Sequence, residues 1–273
     1  IEENIEVLSQ IETLDNGSLL RSNRRGVMPR AAANIRFFAD WAINELKHDA
    51  FETRGHVNHI SWDPSGVAAL ITPWNAPLML ATWKIGPALA AGDTVVLKPA
   101  EWTPLTASFF ADLTIKAGIP AGVFNVVFGI GAEAGAALTQ HPGLSRISFT
   151  GSVPTAKKIA RAAAENLTPV NFELGGKSPF IVLGDADLEL ATDLAVEQYD
   201  NAGQVCLSGT RMLVHESISN EFSRIFNEKT KKLIQGDPRD EATNIGPQIH
   251  QDHFNRIAGF VARAKDEGAN IVF

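Results

Sequence analysis

The chain has a single cysteine among its 273 residues, at position 206. One thiol cannot form an intramolecular disulfide, so the sequence carries no sign of an oxidising compartment. The first residues also lack a cationic stretch followed by an apolar run, which is the pattern of a secretory signal peptide. We therefore expect the protein to be cytoplasmic.

An excess of positive charge and an unbroken apolar run are also missing. The formal net charge is -7, whereas binding to nucleic-acid phosphates needs a basic surface. The most apolar stretch, 66–97, is interrupted by Pro73, Pro77, Lys84 and Pro87. A membrane span needs about 20 mostly apolar residues without such breaks. Neither a nucleic acid nor a membrane is expected as a partner.

Alternating strand and helix patterns from residue 66 onward predict a mostly parallel sheet. Short β-rich runs alternate with amphipathic stretches of helical length, and Gly, Pro and Asp residues separate them. Strands are predicted at 67–71, 94–97, 123–127, 146–149 and 170–173, and helices at 78–91, 104–117, 132–140 and 154–165. Strands and helices that alternate at this spacing are typical of βαβ units in an α/β fold.

A second α/β series is predicted after the paired glycines at 175–176. Its strands are predicted at 180–183 and 211–214, and its helices at 188–201, 218–234 and 251–265, with a further strand beginning at 271–273. Upstream of residue 66, the pattern predicts helices at 2–14 and 29–46 and otherwise loop. Because paired glycines loosen the chain, we place the domain boundary at Leu174-Gly175-Gly176.

Three short segments carry candidate chemistry. They are 72–77 (TPWNAP), 172–179 (FELGGKSP) and 201–206 (NAGQVC). Each has an ordinary explanation when taken alone. A lone cysteine is usually a small buried hydrophobe, Asn75 lies between two prolines as a loop residue can, and Glu173 could be a surface charge at a domain boundary.

In combination and in this order, these segments resemble the aldehyde dehydrogenase superfamily. The ELGGKSP and GQxC patterns closely match the two active-site signatures of that family, and the separation of 33 positions from Glu173 to Cys206 also fits. The similarity extends from the turn at 13–17 to the segments 236–238 and 245–247. It implies a Rossmann-like parallel-sheet cofactor domain with N-terminal helices at 1–174, followed by the first part of a second α/β catalytic domain at 175–273.

The resemblance implies NAD(P)-dependent oxidation of a small-molecule aldehyde to a carboxylic acid. Cys206 would attack the carbonyl carbon as a thiolate. The side chain of Asn75 and the backbone N–H of Cys206 would donate to the resulting oxyanion. Glu173 would activate the water that hydrolyses the thioester. Family members that transfer the acyl group to coenzyme A generally lack this glutamate, so Glu173 favours hydrolysis.

The resemblance also implies a cofactor site at the ends of the predicted strands. Lys98 and Glu101 would bind the adenosine ribose. A carboxylate accepts hydrogen bonds from a 2′-hydroxyl but repels a 2′-phosphate, so NAD is preferred, with NADP possible. Gly151 and Ser152 open a predicted helix whose N-terminus suits a pyrophosphate, although a serine there can also be an ordinary helix cap. The remaining candidate cofactor contacts are Thr72, Pro73, Trp74, Gly131, Gly135, Phe149, Leu174 and Gly175.

Other interpretations of the same residues remain open. Gly129, Gly131 and Gly135 match the dinucleotide glycine fingerprint only loosely, because the last spacing is one residue too long. His250 and His253 could share a helical face, but no cysteine or clustered acids complete a ligand set, and no metal is predicted. A cysteine-protease pair would need a histidine close to Cys206 in space.

Two alternatives exist within the family. They are a semialdehyde dehydrogenase that forms acyl-coenzyme A, and a non-catalytic structural or binding protein of the same fold. The chain also looks incomplete at both ends, and a full-length protein is expected to be a homodimer or homotetramer. Within the family, the sequence resembles members that act on semialdehydes of aromatic breakdown, such as hydroxymuconic semialdehydes. Trp83 is a candidate wall of the substrate tunnel, and a core tryptophan is the equal alternative.

Overall fold

A computed structural model describes residues 1–271. The described helices are α1 Ile5–Asn16, α2 Leu20–Ser22, α3 Met28–Glu45, α4 Pro77–Ala90, α5 Leu105–Lys116, α6 Ala136–Thr139, α7 Val153–Ala164, α8 Leu188–Val196, α9 Ser219–Thr230 and α10 Gln251–Asp266. The described strands are β1 Asp49–Thr53, β2 His56–Ile60, β3 Val67–Ile71, β4 Thr94–Lys98, β5 Phe124–Val126, β6 Arg146–Gly151, β7 Val170–Leu174, β8 Pro179–Val182 and β9 Arg211–Val214. The strand predicted at 271–273 falls on residues 272 and 273, which lie outside the described residues.

Two compact units make up the chain. Unit 1 comprises 1–15 and 22–174, and unit 2 comprises 16–21 and 175–273. The main division therefore falls between Leu174 and Gly175. Residues 16–21, which the sequence places in the first domain, belong to unit 2 because the Leu20 N–H donates to the carbonyl of Pro238 at 2.9 Å.

Unit 1 is built on a five-stranded sheet with the order β5-β4-β3-β6-β7. All four pairings in it are parallel, which confirms the predicted parallel α/β sheet. In β3, four of the five residues are buried, as expected for a central strand covered on both faces. Parallel strands all point the same way, so the carboxyl ends of β3, β4, β6 and β7 lie along one edge of the sheet.

Helices cover the two faces of this sheet and form separate cores. One core packs Leu70, Val95 and Leu97 against Ile85 of α4 and Phe110 of α5. The other core lies under α7, and its buried members are Ala69, Ile71, Leu144, Ile147, Phe149, Ala156, Ile159 and Ala163. These apolar layers give the sheet edge a rigid support.

Two predictions for the secondary structure were wrong. Residues 49–60, expected as loop, form the antiparallel hairpin of β1 and β2. Nearly all residues of the hairpin are exposed, so it lacks the alternation of buried and exposed positions that marks a strand in a sequence. The helix expected at 188–201 ends at Val196 and continues as a 3-10 turn, Glu197–Gly203.

Unit 2 contains a two-stranded parallel sheet of β8 and β9. Helices α8 and α9 pack on it around Val182, Ala191, Ala195 and Phe222. This arrangement is a small α/β layer with its own core. Within the described residues, no helix is long and apolar enough to cross a membrane.

Candidate active site

The carboxyl edge of the unit 1 sheet collects most of the candidate site residues. β3 leads into the segment 72–76, β4 ends at Lys98, β6 ends at Gly151, and β7 carries Glu173 next to its last residue. Ligands of parallel α/β sheets bind outside the carboxyl ends of the strands. The sheet topology therefore brings the predicted oxyanion donor, general base and cofactor contacts of unit 1 to one edge.

Asn75 lies on a short loop between β3 and α4. The loop is tied to the next strand because the Thr72 N–H donates to the carbonyl of Lys98 at 3.2 Å. Pro77 is the first residue of α4, a position where proline is favoured since it needs no N–H donor there. Ala76, the residue before the helix, has no side chain that could cap it. The loop is thus short, and the first turn of α4 controls its position.

Lys98 and Glu101 form a charged pair at the end of β4. The Lys98 ammonium lies 3.6 Å from a Glu101 carboxylate oxygen and donates to the carbonyl of Pro99 at 2.9 Å. Lys98 is 2 % exposed, whereas the Glu101 side chain is 40 % exposed. Burial lowers the pKa of Lys98, and the nearby Glu101 charge opposes that effect. A Cβ on Gly135 would lie 3.5 Å from the Lys98 stem, an ordinary contact distance, so Gly135 lies beside this lysine.

Gly151 and Ser152 connect β6 to α7. A Cβ at Gly151 would come within 2.5 Å of the ring of Phe149, which is buried and packs edge-on against Phe172. Only glycine therefore fits without a shift of that ring. The Ser152 hydroxyl accepts the Thr155 N–H at 3.4 Å, so it is the cap of α7. The same helix N-terminus presents further N–H groups to the sheet edge.

Glu173 lines a cavity of about 660 Å³ inside unit 1. Each wall is one face of one element, because side chains three or four apart share a helix face and alternate side chains share a strand face. The lining residues are Arg30, Ala33, Asn34, Phe37 and Phe38 of α3, Leu80, Trp83 and Lys84 of α4, Ser148 and Thr150 of β6, and Asn171 and Glu173 of β7. Helices α3 and α4 are joined beside it by a hydrogen bond of 3.1 Å from the Asn34 amide to the Thr82 hydroxyl.

Lys84, a buried lysine, lines this cavity. The Lys84 ammonium donates to the Ser148 hydroxyl at 2.9 Å, and that hydroxyl donates to the Asn171 side-chain oxygen at 2.8 Å. Burial lowers the pKa of Lys84 to about 8, and the attraction of the Glu173 carboxylate opposes this shift. Glu173 therefore has an amine partner within electrostatic reach on the same sheet face.

Cys206 lies on an exposed loop of unit 2. The backbone before it is strained, since Asn201, Ala202 and Gly203 are consecutive residues with φ of 49°, 57° and 74°. Gln204 holds this loop: its amide donates to the carbonyl of Asn201 at 3.0 Å, and its side-chain oxygen accepts the Ile249 N–H at 3.0 Å. Such strain persists only where the surroundings enforce it, and it is common at active sites.

Some of the candidate cofactor residues contact one another, whereas others have open space beside them. Lys98, Glu101 and Gly135 come together, and Gly151 pairs in register with Leu174. A Cβ on Gly131 or Gly175 would meet no atom within 4 Å. The sequence predicts no role for Arg30, Lys84 or Gln204, because what distinguishes them is their position in the folded chain: Arg30 and Lys84 line the cavity, and Gln204 accepts the N–H of the distant Ile249. Trp83, for which the sequence allows either a tunnel wall or a core position, lines the cavity.

No metal centre is evident in residues 1–271, where no group of three histidine, cysteine, aspartate or glutamate residues could hold an ion. Of the two histidines considered above, His250 caps α10, because its side chain accepts the backbone N–H of His253 at 3.2 Å.

The family profile described as the aldehyde dehydrogenase family matches residues 1–273, so the chain belongs to that family. It is 41% identical over its whole length to the 2-aminomuconic semialdehyde dehydrogenase of Mus musculus, and 42% identical over 96% of its length to the 2-hydroxymuconic semialdehyde dehydrogenase of Pseudomonas sp. (strain CF600). It covers 56% and 55% of those proteins. The chain therefore spans about half the length of the curated relatives that it matches.

A solved structure of betaine aldehyde dehydrogenase from Staphylococcus aureus in complex with NAD+ has the same fold. Its TM-score is 0.96 at 39% sequence identity, and the match covers 100% of this chain and 54% of that one.

Proposed function

We propose that this chain carries the nucleophile, the general base and much of the cofactor site of an NAD-dependent aldehyde dehydrogenase that releases a carboxylic acid. The observation that carries the proposal is the position of Glu173. In a member of the aldehyde dehydrogenase family, this carboxylate lines a cavity at the carboxyl edge of a parallel sheet, within electrostatic reach of a buried amine. Cavities of this size hold small organic molecules.

In the first step, the Cys206 thiolate attacks the aldehyde carbon, and a C–S bond forms while the carbonyl π electrons move to oxygen. The Asn75 amide and the Cys206 N–H donate to this oxyanion. Each such donor typically contributes about 3–4 kcal/mol of transition-state stabilisation. The exposure of the Cys206 loop supports this role, because the thiol is accessible to a substrate.

When bound, NAD supplies the acceptor for the hydride that leaves the tetrahedral carbon. The acyl group then remains on Cys206 as a thioester. Glu173 takes a proton from water, the hydroxide attacks the thioester carbon, and the thiolate leaves as the acid forms. Glu173, the next-to-last residue of β7, is exposed, which supports access of water to it.

The chain offers a donor set that fits NAD. The half-exposed Glu101 carboxylate suits a ribose 2′-hydroxyl, and Lys98 beside it neutralises the local charge. A 2′-phosphate next to Glu101 would be repelled, so NAD is preferred over NADP. The N–H groups at the start of α7 suit a pyrophosphate, since Gly151 keeps the backbone open there.

The cavity also favours an aldehyde that carries a carboxylate. Arg30 lines it without an ion pair or hydrogen bond among the described residues, whereas Lys84 is engaged by Ser148. A guanidinium binds a carboxylate through two parallel hydrogen bonds. The aromatic rings of Phe37 and Trp83 suit the carbon chain between the two ends. The semialdehyde names of the two muconic relatives agree with this substrate class.

The first test is NADH formation from a panel of aldehydes with wild-type protein, Cys206→Ala and Glu173→Gln. We expect Cys206→Ala to abolish NADH formation. Glu173→Gln should keep the initial NADH burst but slow later turnover by about 100-fold or more, since general bases contribute about 10²–10⁴ in rate. Glu165→Gln, an exposed carboxamide change in the same unit, is the control. Activity in Cys206→Ala, or turnover that requires coenzyme A, would contradict the proposal.

The substrate class is tested with two aldehydes of equal chain length, adipate semialdehyde and hexanal. Arg30→Gln should raise KM for adipate semialdehyde by about tenfold or more and leave hexanal unchanged, because a hydrogen bond to a charged group contributes about 1.5–3 kcal/mol. Arg36→Gln removes the same charge from α3 at an exposed position paired with Glu2, and it is the matched control. An equal effect on both aldehydes would remove Arg30 from the carboxylate site.

A further inference from the structure

Helix α1 places two carboxylates at the starts of two other helices. Glu12 and Asp15 are one turn apart on α1 and therefore share a face. A Glu12 oxygen accepts the Leu78 N–H in the first turn of α4 at 3.2 Å, and an Asp15 oxygen accepts the Leu105 N–H at the start of α5 at 2.9 Å. Neither α4 nor α5 is capped by the side chain of the residue that precedes it. Helix α1 supplies both missing caps.

The setting of Glu12 is unusual for a cap. Its side chain is 0 % exposed, and its second oxygen has no hydrogen-bond partner among the described residues. A buried carboxyl group with an unpartnered oxygen is costly whether or not it is charged, and surface caps achieve the same bond at no such cost. A glutamate at this position therefore needs a reason beyond helix stability.

We propose that Glu12 is a positioning residue for the oxyanion-binding loop, holding Asn75 through the first turn of α4. This inference rests on the proposed function, in which Asn75 donates to the oxyanion. Leu78 is three residues after Asn75, and Pro77 and the start of the helix leave little freedom between them. The hydrogen bond from the Leu78 N–H to Glu12 therefore fixes the point at which the loop enters α4. Preorganised donors lose catalytic power when they move by about 1 Å.

The protonation state of Glu12 agrees with this arrangement. Burial raises the pKa of Glu12 to about 8, against the effects of the Leu78 N–H and the Thr106 hydroxyl. The Thr106 oxygen is close enough to act on that pKa although its geometry falls short of a hydrogen bond. The charge of Asp15, on the same helix, adds to the rise. At neutral pH the group is mostly a carboxylic acid, so a neutral glutamine can replace it.

The first measurement is the rate of the NADH burst in Glu12→Met and Glu12→Gln. Methionine keeps the volume but removes the acceptor, so we expect the burst to slow by about tenfold while KM for NAD stays the same. Glutamine keeps an acceptor oxygen and should restore the burst to within about twofold of wild type. Glu6→Gln, an exposed change on the same helix in an ion pair with Arg24, should leave the burst unchanged.

The decisive measurement is a double-mutant cycle with Asn75→Ala. If Glu12 acts through Asn75, Glu12→Met should cause no further loss of burst rate once Asn75 is alanine. Losses that multiply would overturn the inference, since they would show a general structural effect. If the methionine variant does not fold, Glu12→Asp takes its place in the cycle, because aspartate withdraws the carboxyl by one methylene.

The cycle also separates the two proposals. A full burst in Asn75→Ala alone would overturn the oxyanion role of Asn75, and the role of Glu12 with it. A slow burst in Asn75→Ala together with a normal burst in Glu12→Met would overturn only the role of Glu12.

Discussion

The chemistry of Lys84 is strongly altered by its surroundings. It lies on α4 with its amine on the Ser148 hydroxyl, in the cavity that also contains Glu173. With a pKa of about 8, this amine changes its protonation state near neutral pH, unlike an ordinary lysine. The proposed general base thus has a titrating neighbour, and its environment changes with pH.

The lowered pKa of Lys84 predicts a pH dependence of stability. The unfolded chain binds more protons at this position between pH 8 and 10.5, so the free energy of unfolding rises with pH across that window. The contribution of this group to the free energy of unfolding is fully present above pH 10.5, and it is lost as the pH falls through 8. Its size is about 3 kcal/mol at most.

Urea unfolding of wild type and Lys84→Met at several pH values between 7 and about 10.5 measures this effect. The stability difference between the two proteins should shift in favour of wild type as the pH rises. A difference that is independent of pH would show that Lys84 titrates normally in the folded protein.

The sequence identifies some of these residues and misses others for a physical reason. Cys206, Glu173 and Asn75 stand in compact motifs, so their roles can be predicted from neighbours along the chain. Arg30 and Glu12 stand in ordinary amphipathic helices, and what distinguishes them comes from residues far away in the sequence. The partner of Glu12, Leu78, is 66 residues away.

At the scale of the element, the junction of β6 and α7 is the most tightly packed part of the candidate cofactor site. Phe149 fills the space above Gly151, and Ser152 then begins the helix. A strand that ends on a glycine can turn into a helix next to a large ring. The position of the α7 N-terminus therefore depends on the absence of one Cβ.

Gly151→Ala tests this dependence. Its Cβ would meet the Phe149 ring at 2.5 Å, so the ring or the start of α7 must move. Overpacking of this kind costs about 1–3 kcal/mol, and we expect a lower melting temperature together with a higher KM for NAD. In Gly26→Ala, the new Cβ meets nothing within 4 Å, and its melting temperature should not fall. A Gly151→Ala protein as stable as wild type would show that the ring adapts freely.

Strands and helices were predictable to different degrees. β3 has the predicted bounds, and β4 extends the prediction by one residue, because short apolar runs between turn residues are typical of buried strands. The hairpin of β1 and β2 was missed, since exposed strands show no burial pattern. The end of α8 at Val196 was also missed: the chain continues as a 3-10 turn in which Asn201 and Ala202 have left-handed backbone, a conformation that an alanine does not signal.

At the scale of the whole molecule, each unit has its own apolar core and its own share of the candidate chemistry. Unit 1 contains Asn75, Glu173 and the Lys98–Glu101 pair, and unit 2 contains Cys206. The glycines after Leu174 mark the main division. No local sequence pattern indicates that residues 16–21 belong to unit 2. Their place there depends on hydrogen bonds to segments more than 200 residues further along the chain.

By itself, the sequence determined the parallel α/β order of unit 1 and the motif residues of the family, since both depend on patterns that are local along the chain. Only the tertiary structure decided how the walls of the cavity form, why Lys84 has a low pKa, and why α1 holds Glu12 at the start of α4. Those properties come from burial and from contacts between distant segments. Desolvation depends on everything that surrounds a group, and a linear pattern does not contain that information.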